Sequence, residues 1–424
     1  MQRLERRLWR GMAVVVCLAG SMWGQRALTW QQVRDRFEAT NPTLLALQAG
    51  IDESRASEIT AYLRPNPDFT LLTDGTQITP YNGVWRPFTG TDLSTSFSYL
   101  HERDHKRELR LASARKGTAV AISQRDDQER NLVYNLRNAF VEALQAKAVL
   151  ALATDNLAYY DRLLAVSSDR YKAGDIARVD LDRLELQRVQ YETDVQTALV
   201  NVRTAKIELL QLLDDRTPVD RFDIAGAFEF HESLPPVEEL RATALATRPD
   251  LKAAMESVEK ANTDYKLAVS NGSTDPTFSA WWTHNPSFNN PYDNETLGVS
   301  VTVPLRIFDR NQGEKARTLL DIRRNRRLED AARAQVFSDV DSAYATLASN
   351  LALLRPYKAT YLQLATRVRD TVSYAYQHGG SSLLDFLQAQ QDYRSVQVNY
   401  LNLIGAYLSA ANQLNMAVGR EVIE

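Results

Sequence analysis

RYKAGDIARVDLDRLELQ (170–187) and AYQHGGSSLLDFLQAQ (375–390) stand 205 positions apart and follow one plan. Tyr171 matches Tyr376, Gly174 matches Gly379, and Asp180 matches Asp385. In each copy a helical run stops at Gly, the residue that most readily takes the left-handed backbone ending a helix. A second helical run with an acid in its first turn follows, so both stretches read as the bend of a helical hairpin. The correspondence extends outward. Asn41-Pro42-Thr43-Leu44 aligns with Arg248-Pro249-Asp250-Leu251 at an offset of 207, and Pro67-Asp68-Phe69 with Pro276-Thr277-Phe278 at 209. Asp104 aligns with Asp309, again at 205. The drift belongs in loops, and the chain reads as one plan written twice.

The expected division is a first structural repeat over 25–214, a connector over 215–236 and a second repeat over 237–424. Each half begins with a helix (28–62; 237–270). Two short alternating segments follow, with a Gly/Pro/Asn-rich loop between them. Then come a very long helix (105–172; 311–377), the Gly turn, and a last helix (178–213; 383–418). Breakers support the long helices. No Pro lies between Pro87 and Pro218, and Gly174 alone interrupts the stretch from Gly117 to Pro218.

Residues 1–24, MQRLERRLWRGMAVVVCLAGSMWG, carry four Arg ahead of a short apolar core and then small residues. This is the pattern of a secretory signal peptide, with cleavage expected between residues 21 and 27. The one Cys, Cys17, lies inside it, preceded by Val16 where a lipoprotein signal has a small residue. A disulfide framework is excluded by that count.

Composition narrows the class. The 424 residues are 24% charged and 44% apolar with a net charge of −3, a folded mixture with no field favouring nucleic acid. Mean hydropathy is −0.36. No apolar run approaches the ~18 residues of a membrane-crossing helix, which excludes a polytopic helical transporter.

The last helix of each half carries apolar residues at alternating spacings of three and four. The second reads Phe386, Ala389, Tyr393, Val396, Tyr400, Leu403, Tyr407, Ala410, Leu414, Ala417. The first reads Leu181, Leu184, Arg188, Tyr191, Val195, Ala198, Val202, Ala205, Leu209, Leu212, with Arg188 the one break. This is a coiled-coil seam. The preceding helix offers a matching, Ala-rich stripe from Leu132 to Leu164. A soluble helical bundle satisfies the same pattern.

The short segments bear on that choice. Leu93-Ser94-Thr95-Ser96-Phe97-Ser98-Tyr99 alternates strictly, as do Leu297, Val299, Val301 and Val303 with their neighbours. Their partners are Pro67–Thr73 and Pro276–Thr283. An apolar face opposite a small polar face suits either a half-buried sheet or a membrane barrel facing lipid and a wet lumen. Aromatic residues near the ends (Tyr81, Trp85, Phe88, Tyr99, Trp281, Trp282, Tyr292) fit an interfacial girdle. Four strands cannot close a barrel, and open edges are not tolerated in hydrocarbon. A membrane sheet would therefore need strands from several chains.

Asn41-Pro42, Arg248-Pro249-Asp250-Leu251, the RYKAG turn at 170–174 and VPLRIFDRNQG at 303–313 occur in order. With them the chain resembles the outer-membrane efflux protein family, the TolC-like outer membrane factors, and its metal and multidrug branch in particular. The resemblance implies a mainly α fold with a small β part. Long coiled-coil hairpins form an α-barrel, and four strands per chain join a shared 12-stranded transmembrane β-barrel. It implies a homotrimer in outer-membrane lipid, spanning into the periplasm. Its implied partners are a periplasmic adaptor (membrane fusion protein) and an inner-membrane pump of RND or ABC type. The function implied is a passive exit duct for small molecules or metal ions in a tripartite efflux or type I secretion system, without cofactor or catalysis. The alternative is a periplasmic coiled-coil adaptor or scaffold of such a complex.

The resemblance also places a gate at the helical tip. Asp385 matches the family's narrowing acidic ring, and the second ring, one turn on, is neutral here at Gln388. Tyr376 matches the tip-locking tyrosine, whose Arg partner corresponds to Ser381. Asp180 repeats Asp385 in the first half. The turns at Tyr171, Gly174, Gly379 and Gly380 would meet the adaptor. The residue-level alternative for Asp385 is an N-terminal helix acid favoured by the macrodipole.

Two patterns point elsewhere. His101-Glu102-Arg103-Asp104-His105 spells HExxH, which binds zinc when both His lie on one helix with a third ligand. Here it straddles a strand-to-helix junction, and its equivalent, 305–309, lacks it. The Arg323, Arg324, Arg326, Arg327 cluster, with Asp321, Glu329 and Asp330 nearby, reads as a solvated helix face.

Overall fold

The computed structural model describes residues 27–285 and 294–423. The signal-peptide segment, Cys17 and Tyr292 lie outside the described residues. The order is α1 (Trp30–Thr40), α2 (Pro42–Tyr62), β1 (Asp68–Asp74), β2 (Asp92–Leu100), α3 (Lys106–Ala173) and α4 (Arg178–Leu212). After the connector come α5 (Val237–Thr247), α6 (Pro249–Ser270), β3 (Thr277–His284), β4 (Glu295–Thr302), α7 (Gln312–Pro356), α8 (Leu362–Gln377) and α9 (Leu383–Val418). The protein is mostly helical with one small sheet. Helix α3 has 68 residues, and at ~1.5 Å per residue it is ~100 Å long.

Two expectations need correction. The opening helices are not continuous through 28–62 and 237–270: each bends at the residue before Pro. Asn41 sits at φ −66°, ψ 118° and Arg248 at φ −68°, ψ 121°, because the Pro ring excludes the helical conformation from its predecessor. The long helix over 311–377 keeps helical backbone along its length but is irregular at one turn. A wide π-type turn over Tyr357–Tyr361 separates α7 from α8 directly after Pro356, which brings no N–H to the ladder.

The two elbows are fastened in the same way. Thr40 Oγ1 donates to Leu213 O (3.0 Å) and Asn41 Nδ2 to Leu212 O (3.2 Å), at the end of α4. Thr247 Oγ1 donates to Val418 O (2.6 Å) and an Arg248 guanidinium N–H to Ala417 O (3.3 Å), at the end of α9. Carbonyls left unpaired in a last helical turn thus become attachment points for the start of the same half. Asn41 also caps α2, accepting from Thr43 N and Leu44 N.

The sheet is an antiparallel meander, β1-β2-β3-β4. Its register aligns Leu71, Thr95, Trp282 and Leu297 in one row, and Phe69, Phe97, Ala280 and Val299 in the next. These rows share a face that is solvent-exposed except at half-buried Thr95. The other face carries Ser96, Ser98, Ser279 and Ser300, with Trp281 lying over Gly298, where a β-carbon would strike the indole. Among the described residues, one outer edge of β1 and one of β4 have no strand beside them.

Three apolar clusters hold the rods together. One joins α1, α3, α4 and the connector through Phe37, Phe140, Leu209 and Ile224. Another joins α5, α7 and α9 through Ala244, Leu347, Tyr407 and Leu414. The third ties α3, α4, α8 and α9 near their turns. Seam positions Leu184, Tyr191, Ala198, Phe386, Tyr407 and Leu414 are all buried.

Candidate functional site at the helical tip

The α3–α4 and α8–α9 bends lie side by side, brought together by the third apolar cluster. In the first bend Gly174 has φ +86°. Its N–H meets Tyr171 O at 3.0 Å, and Asp175 N–H reaches Arg170 O at 2.9 Å. In the second, Gly379 has φ +78°, and Gly380 N–H bonds to Ala375 O at 2.7 Å. The Gly residues thus stand where the sequence put the turns, each at a backbone conformation that side chains resist.

Asp385 is the third residue of α9, and Ser382 is its cap. Asp385 N–H donates to Ser382 Oγ (3.1 Å). Ser382 Oγ and N–H both donate to Asp385 Oδ2 (2.7 and 3.3 Å). This is a capping box with Asp in place of Glu. The Ser382 hydroxyl, then the Ser382 backbone N–H, hold the Asp385 carboxyl below the usual carboxylate range. The helix-start role of Asp385 is therefore real, and its carboxylate is ionised and solvent-facing. The signal was readable: Ser-Leu-Leu-Asp precedes the apolar seam. Gln388, one turn on, donates its Nε2 to Asp392 Oδ1 at 2.8 Å. Asp180 lies in the first turn of α4, whose cap residue, Ala177, provides no side-chain bond.

Tyr376 is buried, stacked on Phe386 with centroids 4.9 Å apart. Arg170, from the other hairpin, sets its guanidinium 5.5 Å from the Tyr376 ring centre and donates to Tyr376 O at 3.2 Å. Burial raises the Tyr376 phenol above its ordinary value, and Arg170 acts against it. The hydroxyl is enclosed with no hydrogen-bond partner among the described residues. A further aromatic pair, Tyr160 on Tyr191 at 4.5 Å, lies behind it, with Tyr160 Oη donating to Leu184 O. Arg170 escaped the sequence reading because its repeat counterpart is Ala375; only the packing of two hairpins shows what it faces. Tyr171 carries the Arg178 guanidinium over its ring at 5.6 Å.

The HExxH residues do not share a helix. They precede α3, and His105 has a left-handed backbone (φ 56°). Glu102 is occupied by a two-pronged ion pair with Arg110. Among the described residues there is no group of three His, Cys, Asp or Glu able to hold a metal ion. No described helix is long and apolar enough to cross a membrane.

Residues 240–420 match the family model described as outer membrane efflux protein. The chain is 24% identical over 409 residues to the cobalt-zinc-cadmium resistance protein CzcC of Cupriavidus metallidurans, covering 93% of this chain and 90% of the relative. It is 23% identical over 421 residues to the outer membrane protein TolC of Escherichia coli, covering 94% and 83%. In fold it is similar to CusC (TM-score 0.76, 16% identity, 92% of each chain covered). It is also similar to VceC of Vibrio cholerae (TM-score 0.73, 16% identity, 92% and 96% covered).

Proposed function

We propose that this chain, a TolC-like outer membrane efflux protein resident in the outer membrane and reaching into the periplasm, is the passive exit duct of a tripartite efflux or type I secretion machine. One observation carries the reading: a four-stranded meander whose rows are largely apolar on one exposed face, Ser-rich with Trp281 over Gly298 on the other, and whose outer edges have no neighbouring strand among the described residues. In hydrocarbon every backbone N–H and C=O must be paired. Pairing β4 of one copy with β1 of the next satisfies that, and three copies close a ring of twelve strands. The long hairpins of α3, α4, α7, α8 and α9 continue it as an α-barrel. A soluble adaptor would have no use for such a face.

At the tip, three copies of Asp385 form an acidic ring near the axis. Its ionised state supports a role in attracting cations to the narrow end of the pore, while the three carboxylates repel one another. Gln388 supplies a neutral ring beyond it. The Arg170–Tyr376 contact joins the two hairpins of one chain and holds the tip shut in place of the Arg missing at Ser381. Asp180 belongs to the gate as the first-half counterpart of Asp385; Tyr171, Gly174, Gly379 and Gly380 form the surface that meets the periplasmic adaptor, behind which stands an RND or ABC pump. Family members are channels rather than enzymes, and no cofactor enters the mechanism.

The name of the Cupriavidus relative makes divalent metal ions the first cargo class to test. Deleting the gene and comparing survival on copper, zinc and cobalt with survival on dyes and detergents separates metal from drug export. The duct itself is tested by purification: a detergent-solubilised trimer that conducts in a planar bilayer is expected. A single subunit that remains water-soluble without detergent refutes it.

A further inference from the structure

The segment joining β4 to α7 has inverted polarity. After Val301 and Val303 the chain continues Pro304-Leu305-Arg306-Ile307-Phe308, with a tight turn closed by Ile307 N–H on Leu305 O at 3.0 Å. Leu305 is 80% exposed and Phe308 89%, and Ile307 is exposed with them. Arg306, the one charged residue among them, is instead turned inward: its Nε is enclosed without a hydrogen-bond partner among the described residues, and its charge acts on Asp275. Beside water the opposite arrangement is expected, with the guanidinium out and the phenyl ring in, because apolar surface is driven from water and charge is drawn to it. Isolated exposed apolar residues are ordinary, but a contiguous set with its charge withdrawn marks a surface that something covers.

Resting on the barrel reading above, we propose that Leu305, Ile307 and Phe308 form an anchor in the periplasm-facing leaflet of the membrane, seated at the boundary between phospholipid headgroups and acyl chains. The occupant follows from continuity. The exposed apolar row of β4 (Leu297, Val299, Val301) leads through Val303 directly into Leu305, without an intervening charge. The turn at 305–307 thus meets the same solvent as the strand, at its edge. Aromatic and aliphatic side chains are favoured at that depth. The two halves differ here: at the offset of 205 the equivalent stretch of the first is Leu100-His101-Glu102-Arg103, which puts Glu102 and Arg103 where the second half has Ile307 and Phe308. The anchor therefore occurs once per subunit.

The test is nitroxide labelling of Phe308→Cys, Val299→Cys and Asp169→Cys in the full chain, reconstituted in vesicles of phosphatidylethanolamine and phosphatidylglycerol. The unsubstituted protein, with Cys17 as its one thiol, provides the labelling blank. Collision with oxygen is compared with collision with a water-soluble nickel chelate. Expected is an oxygen-to-nickel ratio at 308 several-fold above that at 169, the aqueous tip control, and below that at 299. A lipid-like ratio at 299 with a water-like ratio at 308 overturns the anchor and leaves the barrel. Shielding from both reagents at 308 overturns it in favour of a neighbouring subunit as the cover. A water-like ratio at 299 removes the barrel reading, and the anchor with it.

Discussion

Replacing Arg248 by Ala should destabilise the fold by about 3 kcal/mol. Arg248 is 4% exposed. It bonds Asp250 through two guanidinium nitrogens (2.9 and 2.6 Å), Asp339 at 2.7 Å and Ala417 O at 3.3 Å. The orphaned carbonyl costs about 1 kcal/mol. Asp339 keeps 35% of its side chain in water, so its lost pair counts as a surface-like one, about 1 kcal/mol. Asp250 is more enclosed but retains Arg130 at 4.0 Å, and losing its nearer partner adds about another 1 kcal/mol. The pH dependence follows from the same contacts. Burial pushes the Asp250 carboxyl up, and the Arg248 hydrogen bonds and charge outweigh it, leaving the group below its usual value. With its folded value depressed, the contribution of Asp250 is complete above about pH 4 and fades as pH falls through the folded value. In Arg248→Ala the burial effect is left largely unopposed, so the deficit should be greatest near neutrality and shrink in acid. Urea unfolding of the detergent-solubilised protein, followed by circular dichroism at neutral and acid pH, measures both. A change within about 0.5 kcal/mol, the range of an ordinary surface substitution, would refute the account of the elbow as a fastening point. So would a deficit that grows in acid.

Asp385→Ala should raise single-channel conductance and abolish block by trivalent cations, whereas Ser382→Ala, which removes the cap but leaves the charge, should keep the block; equal traces from both would assign Asp385 to capping alone. Arg170→Ala frees Tyr376 from the other hairpin and should raise the open probability in a planar bilayer, with Arg170→Lys intermediate; unchanged gating removes the contact from the closed state. Val299→Arg should cost about 2–4 kcal/mol on insertion into vesicles, as a charge on the lipid face of a strand does, while Ser300→Arg on the opposite face costs far less, and equal costs would contradict the assignment of faces. Gly298→Val should displace Trp281, read as a shift in tryptophan emission; an unaltered spectrum would mean the indole does not lie over that position.

Much of the molecule follows from local pattern. The Gly turns, the ends of α4 and α9, and the two faces of each strand each depend on backbone conformation or on a period of two or of alternating three and four. Ser382 belonged to that legible part as well: Ser and Asp three residues apart ahead of an apolar seam satisfy a helix start by themselves. Pro42 and Pro249 were equally local, and they bend helices that the apolar pattern alone would have carried through.

Other features lay beyond local reading. That β2 and β3 pair, although separated by α3, α4, α5 and α6, depends on rods long enough to return the chain to the same end, so the row from Phe69 through Phe97 and Ala280 to Val299 exists only in three dimensions. Arg170 against Tyr376 and Arg248 against the end of α9 are contacts between elements with no shared sequence signal. By itself the sequence determined what each segment is and which of its faces is apolar, since those depend on neighbours along the chain. The tertiary structure decided which charges are buried together and which apolar faces stay uncovered, because burial depends on neighbours in space.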